Sequence, residues 1–587
     1  MARGRRMQRV GSTIVCVILA AAAIAAAAAQ PTATTNSGTP IPVVGVKTGI
    51  DANSGQRPAR QNINSLWARG GPQWDLYILA LSELQAVDET DELSYFALAG
   101  IHGLPHSAWN GVEQVDGAPS SRGYCPHGEV LFSTWHRPYV ALFEQTLVSH
   151  AARIAQKYPV KVAPTYKAAA QTLRQPYWDW ASDPELPPAA TGVNVTVNGP
   201  NGVVTLRNPL YSYRFQRVDV EATFGGSLAA FPETWRCRAS GEALANNSTA
   251  SNEGLAHVAG DLMSDVYDVF TRTTTFDAMA YDEWRGSSFE NPHNIVHSAS
   301  SCSGTMSSID WSAFDPLFML HHCNIDRLVA MWQAINYKTP MFTTTANSTG
   351  QFGTPPGTAI TADSPLKPFF DENLVLHTSN SVAAISKFGY TYPEIDDWST
   401  TPEELATSLR AQVNGLYSHN QRIVDLATSS SFQQPRPPHR DDQPGGGDQT
   451  QTSYYTAEIQ VNRSEISLPA TVNLVIDGLV VGRMAILGMP CEGFASVSLP
   501  LRDTLLQGNL SLQNMAPQTV IPFLQQNLTM EIRASDGTPI PVSSTPSLQL
   551  EVQELDFMPR VNGSTFPVFG NATRWPIAIR QSDNCEG

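Results

Sequence analysis

Cysteine is scarce: the 587-residue chain holds seven, too few for so long a chain to owe its fold to a disulfide framework. Charge is scarce too, at 15% of residues, and basic charge most of all. Lys and Arg number 37 against 53 Asp and Glu, giving a formal net charge of -16 and a pI near 5.2. A phosphate backbone is bound mainly through clustered Lys and Arg, so nucleic acid is excluded as a partner. Past the N-terminal segment, no apolar run reaches the roughly 20 residues that a membrane helix requires. No internal repeat is evident. What is present is a 42% hydrophobic composition, enough to bury a substantial core rather than leave a disordered chain. The length fits one large core plus a smaller module.

The N-terminus reads as a targeting segment. Arg3, Arg5, Arg6 and Arg9 form a basic head, residues 14–26 are apolar, and Ala27-Ala28-Ala29 supplies small residues for cleavage. Residues 1–29 are therefore predicted to be a secretory signal peptide, with an extracellular mature protein that carries no membrane anchor. Asn-X-Ser/Thr sequons at Asn194, Asn246, Asn247, Asn347, Asn462, Asn509, Asn527, Asn562 and Asn571 agree with export. Cys16 leaves with the signal. Cys125, Cys237, Cys302, Cys323, Cys491 and Cys585 remain, and an oxidising compartment permits disulfides among them.

Helical periodicity dominates residues 30–427, with apolar residues recurring at three- and four-residue intervals over 73–88, 137–158, 256–270, 315–335 and 402–426. Residues 428–453, with Pro435, Pro437, Pro438 and Gly445-Gly446-Gly447, have almost no large apolar side chain and read as a flexible linker. Beyond it the period changes to two. Segments 455–461, 471–476, 494–499, 528–532 and 548–552 predict short strands, so residues 454–587 form a small β-rich sandwich or barrel.

Histidine carries the chemistry. His293 and His297 are four residues apart, which puts both imidazoles on one helical face; by itself such a pair is commonplace on a solvated face. His322 follows in Asp315-Pro316-Leu317-Phe318-Met319-Leu320-His321-His322-Cys323-Asn324-Ile325-Asp326-Arg327, where Asp315 can cap a helix and Pro316 suits its first turn. Upstream, His102, His127 and His136 make a second trio, and Glu144 lies two turns past His136 as a candidate buried partner. Three neutral imidazoles leave a metal open on one side and suit copper, zinc, iron or nickel. Spacing alone does not choose among these.

Taken together, His102-Gly-X-Pro, Cys125-X-His127, Trp135-His136-Arg137-Pro138-Tyr139, His293-X3-His297 and the segment from Asp315 to Arg327 resemble the two copper signatures of the tyrosinase, catechol oxidase and haemocyanin superfamily. The resemblance covers roughly residues 57–392. It implies a mainly α core, an antiparallel four-helix bundle whose facing helices hold two copper ions. His102, His127 and His136 would bind copper A, and His293, His297 and His322 copper B, with His321 a packed neighbour. It also implies small phenols and O2 as reactants, and o-quinones as products. Cys125 resembles a cysteine joined to the ligand imidazole of His127 by a thioether, the alternatives being a disulfide or a buried thiol. On that pattern Cys237 would pair with Cys302 and Cys491 with Cys585, leaving Cys323 a thiol, although the sequence does not fix the connectivity.

Glu290 and Asn294 resemble the pair that holds and polarises a water in fungal tyrosinases, which favours monophenol hydroxylation over a pure catechol oxidase, while the secretory, two-domain layout favours an enzyme over an oxygen carrier. Their bland reading is a helix-start carboxylate favoured by the dipole and a helix-surface amide. Tyr390-Thr391-Tyr392 resembles the motif that closes the catalytic core. The β-rich module resembles the C-terminal shield of latent fungal enzymes, which an activating protease would release by cutting the linker. That module contains no Cys-X2-Cys copper-donor motif.

Overall fold

In the computed structural model, the described residues are 38–217, 219–238, 244–281, 286–418, 452–506 and 515–581. The signal segment, Asn509, Cys585 and all but the last two residues of the 428–453 linker lie outside them. The helices that matter for the site are α1 (Pro72–Gln85), α2 (Phe132–Ala155), α3 (Ser248–Arg272), α4 (Glu290–Ala299), α5 (Leu317–Ile335) and α6 (Pro402–Tyr417). Helix α1 packs on α2, α2 on α5, α3 on α4, and α6 on both α5 and α3.

Local chemistry explains the starts of α3 and α6. Asn247 caps α3 by accepting from the Ala250 N–H at 3.2 Å. Thr401 and Glu404 form a reciprocal capping box at the start of α6, with Pro402 in its first turn. Helix α2 departs from expectation by opening at Phe132, five residues earlier than the sequence suggests, and running through Pro138. Proline normally interrupts a helix, but Phe132, Trp135, Tyr139 and Val140 around it are all buried, and their packing carries the helix through. Asp315 departs as well. It does accept the Leu317 N–H at 2.9 Å, but its main partner is the buried Arg236, whose Nε lies 3.0 and 2.8 Å from its two oxygens.

The β-rich module contains two antiparallel four-stranded sheets. Its strands are β1 (Thr452–Asn462), β2 (Ala470–Ile476), β3 (Leu479–Ile486), β4 (Phe494–Pro500), β5 (Leu528–Ala534), β6 (Pro539–Ile540), β7 (Gln549–Met558) and β8 (Val568–Pro576). One sheet has the order β4-β1-β7-β8, the other β6-β5-β2-β3. Tyr455, Ile459, Val472, Leu474, Met484, Val497, Met530 and Val552 come from both sheets and share one core, the arrangement of a sandwich. Strands β3 and β8 were not foreseen. β8 is exposed along most of its length and β3 begins on exposed Leu479 and Val480, so neither shows the alternation that marks a half-buried strand.

Strand β3 also packs on α4, and its Ala485, with the following Leu487, belongs to the core of the helical region rather than that of the sandwich. Beneath the helices lies a buried ionic cluster. Asp326 of α5 accepts from Arg137 Nε of α2 at 2.6 Å, Arg60 Nη1 at 3.1 Å, and the hydroxyls of Tyr390 and Tyr392 at 2.5 and 2.7 Å. It ties the helices that carry His136 and His322 to each other.

Candidate metal centre

The six histidines of the two sequence trios converge in the helical core, each at most 3% exposed. His102 follows the short helix Tyr95–Gly100, His127 sits in the loop before α2, His136 lies on α2, His293 and His297 on α4, and His322 on α5. The loop holding His102 lies against Asp310 so closely that a Cβ on Gly103 would fall 2.4 Å from the Asp310 carbonyl oxygen. That contact explains the glycine after the histidine.

Hydrogen bonds fix five of the six rings. Nδ1–H donates to a backbone carbonyl in four: His102 to Ile309 at 3.1 Å, His136 to Phe132 at 2.7 Å, His297 to Met306 at 2.7 Å and His322 to Phe318 at 3.0 Å. His293 Nδ1–H donates to the side-chain carbonyl of Asn294 at 2.8 Å. These partners leave Nε2 bare on every one of the five. His127 differs, since neither of its nitrogens has a hydrogen-bond partner among the described residues. In one cluster the potential donor atoms of His102, His127 and His136 lie within 4.8 Å of one another, and in the other those of His293, His297, His321 and His322 do.

This geometry asks for cations. His293 Nε2 lies 3.1 Å from Nε2 of both His297 and His322, and with protons on all three Nδ1 atoms these are lone pairs facing one another. Nitrogens each about 2.0 Å from one ion sit roughly 3 Å apart. In the other cluster, Nε2 of His102 and His136 and both nitrogens of His127 are buried without a hydrogen bond, a costly state for polar atoms unless a ligand takes them. Burial, followed by mutual repulsion among the rings, holds the imidazoles of His102, His127, His293 and His322 well below the usual histidine range. Burial likewise pushes His136 down to about 3 and His297 to about 4. All six are neutral and able to coordinate. Phe318 stacks on His322 at 3.7 Å and meets His102 edge-on at 4.7 Å, while Phe132 lies 4.8 Å from His293 and 5.0 Å from His136, so apolar rings wall the site.

Family comparisons bear on which metal this is. The model described as the common central domain of tyrosinase matches residues 92–335, and that of the tyrosinase C-terminal domain matches residues 455–552. A tyrosinase of Podospora anserina is 34% identical over 406 residues, which are 65% of this chain and 69% of that protein. The chain belongs to the tyrosinase family. A Neurospora crassa tyrosinase is 34% identical over 64% of this chain and 58% of its own length, and polyphenol oxidase 3 of Agaricus bisporus 33% over 55% and 58%. Among solved structures, recombinant mushroom tyrosinase superposes with a TM-score of 0.78 at 24% identity, covering 92% of this chain and all of that one. Holo-protyrosinase of Aspergillus oryzae gives 0.69 at 21%, covering 93% and 100%. These structural likenesses show the shared fold, helical core and C-terminal sandwich together.

Tyrosinases are binuclear copper enzymes, and the two all-imidazole clusters fit that pair, with His102, His127 and His136 positioned to hold one ion and His293, His297 and His322 the other. The chain is accordingly a phenol oxidase. His321 belongs to the second cluster by position: it is fully buried, stacked on His293 at 4.9 Å and edge-on to His297 at 4.7 Å. His106 lies outside both clusters, bonded to Asp310 at 2.9 Å.

The structure places the remaining sequence candidates as follows. Glu290 opens α4, is 1% exposed, and accepts the Gly128 N–H at 2.7 Å, so its carboxylate lies beside the loop of His127. Asn294 is buried; besides orienting His293, it donates from Nδ2 to the Ala485 carbonyl of β3 at 3.1 Å. Glu144 accepts from Arg60 Nε and from the Gln175 N–H, both at 2.8 Å. Cys125 is a buried residue whose thiol burial pushes well up. Cys237 and Cys302 are joined in a disulfide and Cys323 is a buried thiol. Cys491 makes no disulfide with a described cysteine and lies 3.6 Å from Arg122 Nη2.

Two features had no signal in the sequence. Arg60, central to the ionic cluster, stands outside every motif. The other is the contact of the β-rich module with the copper helices. Asn291 of α4 accepts the Ala485 N–H at 3.2 Å and donates to the Arg483 carbonyl at 3.2 Å and to Asp265 at 2.8 Å. Arg483 donates from Nε to Asp261 at 2.8 Å and from Nη2 to the His257 carbonyl at 3.0 Å. Over the other copper loop, a Cβ on Gly128, whose φ is +63°, would fall 3.0 Å from Pro490 Cδ and 3.1 Å from an Arg463 guanidinium nitrogen.

Proposed function

We propose that this tyrosinase-family protein is secreted as a latent enzyme that, once released, hydroxylates monophenols and oxidises o-diphenols to o-quinones. The observation that carries the monophenol step is Glu290, a carboxylate buried one helical turn before His293 and held by the Gly128 N–H. The two copper ions supply dioxygen binding and electron transfer when bound. The protein must supply a proton path, because a phenol with a pKa near 10, by analogy with Tyr, has to ionise before it can bind as a phenolate. Glu290, with Asn294 one turn on, holds the water that takes this proton.

Latency is supported by where the β-rich module sits. Strand β3 occupies the Asn294 amide through Ala485, and Pro490 and Arg463 cover the His127 loop. Cleavage in the linker frees the amide and opens the loop together. The thioether reading is supported by the missing Nδ1 partner of His127: a bond from the Cys125 sulfur to the ring carbon gives that ligand the tether the other five draw from hydrogen bonds. Secretion is supported by sequons that the fold leaves exposed at Asn194, Asn347, Asn562 and Asn571, whereas Asn246 is buried with its amide donated to the Tyr211 carbonyl.

The test is to load the intact protein with copper, assay it with tyrosine and with a catechol before and after limited proteolysis, and follow quinone absorbance. Low activity that rises on cleavage, with both substrates consumed, is the expected result. Turnover of catechol alone reduces the assignment to catechol oxidase. Full activity before cleavage rules out latency.

A further inference from the structure

His321 has no place in a six-ligand copper site, yet it is held where a ligand would be. It is fully buried, and neither ring nitrogen finds a hydrogen-bond partner among the described residues. Its neighbours are aromatic: Trp180 at 5.7 Å, His293 stacked at 4.9 Å, His297 and His322 edge-on at 4.7 and 4.8 Å. A phenylalanine would make those contacts without burying two unpaired polar atoms, so packing alone does not account for an imidazole here. A donor atom of His321 lies within 4.8 Å of those of His293, His297 and His322. The first cluster has no such extra member among the described residues.

We propose that His321 is a fourth nitrogen donor of the copper B pocket, engaged while copper is being taken up and withdrawn once His293, His297 and His322 hold the ion. The anchoring decides the transient character. The 3.1 Å spacings from His293 Nε2 to Nε2 of His297 and His322 already suit a common ion. Each of those three is pinned through Nδ1 to Asn294, Met306 or Phe318, while among the described residues His321 is held by ring packing without a hydrogen bond. Three pinned imidazoles leave one side of the ion open to reactants; a fourth that stayed would close it. Uptake thus gains a donor that the working site then gives up: the bonds from the ion to its carrier break as those to the histidines form, the His321 bond breaks once the three pinned ligands hold the ion, and the copper oxidation state does not change.

The experiment uses full-length protein stripped of metal by chelation and reloaded with Cu(I) supplied as its bathocuproine disulfonate complex, with uptake followed by loss of the complex's colour. Wild type is measured first, since a wild-type chain that binds no copper overturns the copper assignment and this proposal with it. In both His321→Phe and His321→Gln, the final content stays at two coppers per chain, while one of the two uptake phases slows roughly tenfold, the size of effect seen when a group beside a metal ligand is removed. Unchanged phases in both variants overturn the proposal, as does a final content of one copper, which would make His321 a permanent ligand. If the phenylalanine variant does not fold, the near-isosteric glutamine variant decides. Independently of any variant, wild type mixed with one equivalent of Cu(II) and frozen during uptake shows a population with four nitrogens in its electron paramagnetic resonance hyperfine structure, which gives way to three at completion. A maximum of three overturns the proposal.

Discussion

Replacing Arg483 by alanine in the full-length protein tests the proposed latency, in which the strand that lies on α4 keeps the module docked. The side chain donates to Asp261 at 2.8 Å and to the His257 carbonyl at 3.0 Å, and the paired side chains are 21% and 20% exposed. A hydrogen bond to a charged group contributes about 1.5–3 kcal/mol when buried, and solvent access reduces this, so about 2 kcal/mol of docking free energy is lost. That corresponds to roughly a 30-fold increase in the undocked fraction, at 1.4 kcal/mol per factor of ten. The initial rate of catechol oxidation by intact Arg483→Ala should rise by roughly that factor, up to the ceiling set by proteolysed enzyme. Cleaved variant and cleaved wild type should be equal, because the released core does not carry the substitution. Pairing Arg483→Asp with Asp261→Arg should restore latency. An intact variant whose rate stays within about twofold of wild type, on a docking contact of this size, refutes the reasoning.

Three further outcomes follow from other parts of the molecule. Glu290→Gln in cleaved enzyme should lower tyrosine hydroxylation by about 100-fold or more while affecting catechol oxidation far less, as read from the two quinone-forming rates. Asp326→Ala leaves Arg60 and Arg137 buried without their shared carboxylate and should cost about 3–5 kcal/mol of stability, measured by urea unfolding. The third concerns pH. Burial, reinforced by the charges of Asp261 and Asp268, raises the Asp265 carboxyl well above its ordinary range. The folded state therefore binds a proton that the unfolded chain sheds. Stability in urea is greatest below the ordinary carboxylate value and falls as pH climbs toward the raised one, and Asp265→Asn should flatten that dependence.

The convergence of the six histidines was legible because coordination imposes residue type and spacing together: His293-X3-His297 had to lie on one helix face, and the helix from Leu317 had to point His322 inward. The sandwich was legible where strands alternate, as in β1 and β2. What escaped was set by tertiary contact. Helix α2 runs through Pro138 because Phe132, Trp135 and Tyr139 are packed, which no local preference reports. Strand β3 carries exposed residues at one end and serves the helical core at the other, so its pattern fits neither a surface strand nor a buried one. The carbonyls that orient the ligands, those of Ile309, Met306, Phe132 and Phe318, carry no residue-type signal at all, since any residue offers one.

The same reasoning applies to the contact between β3 and α4. Asn291 and Asn294 engage Arg483 and Ala485 through main-chain N–H and C=O groups. Many side chains on that strand can change without altering these three contacts, provided the backbone keeps its course. A module held this way can drift in sequence while its grip on α4 persists.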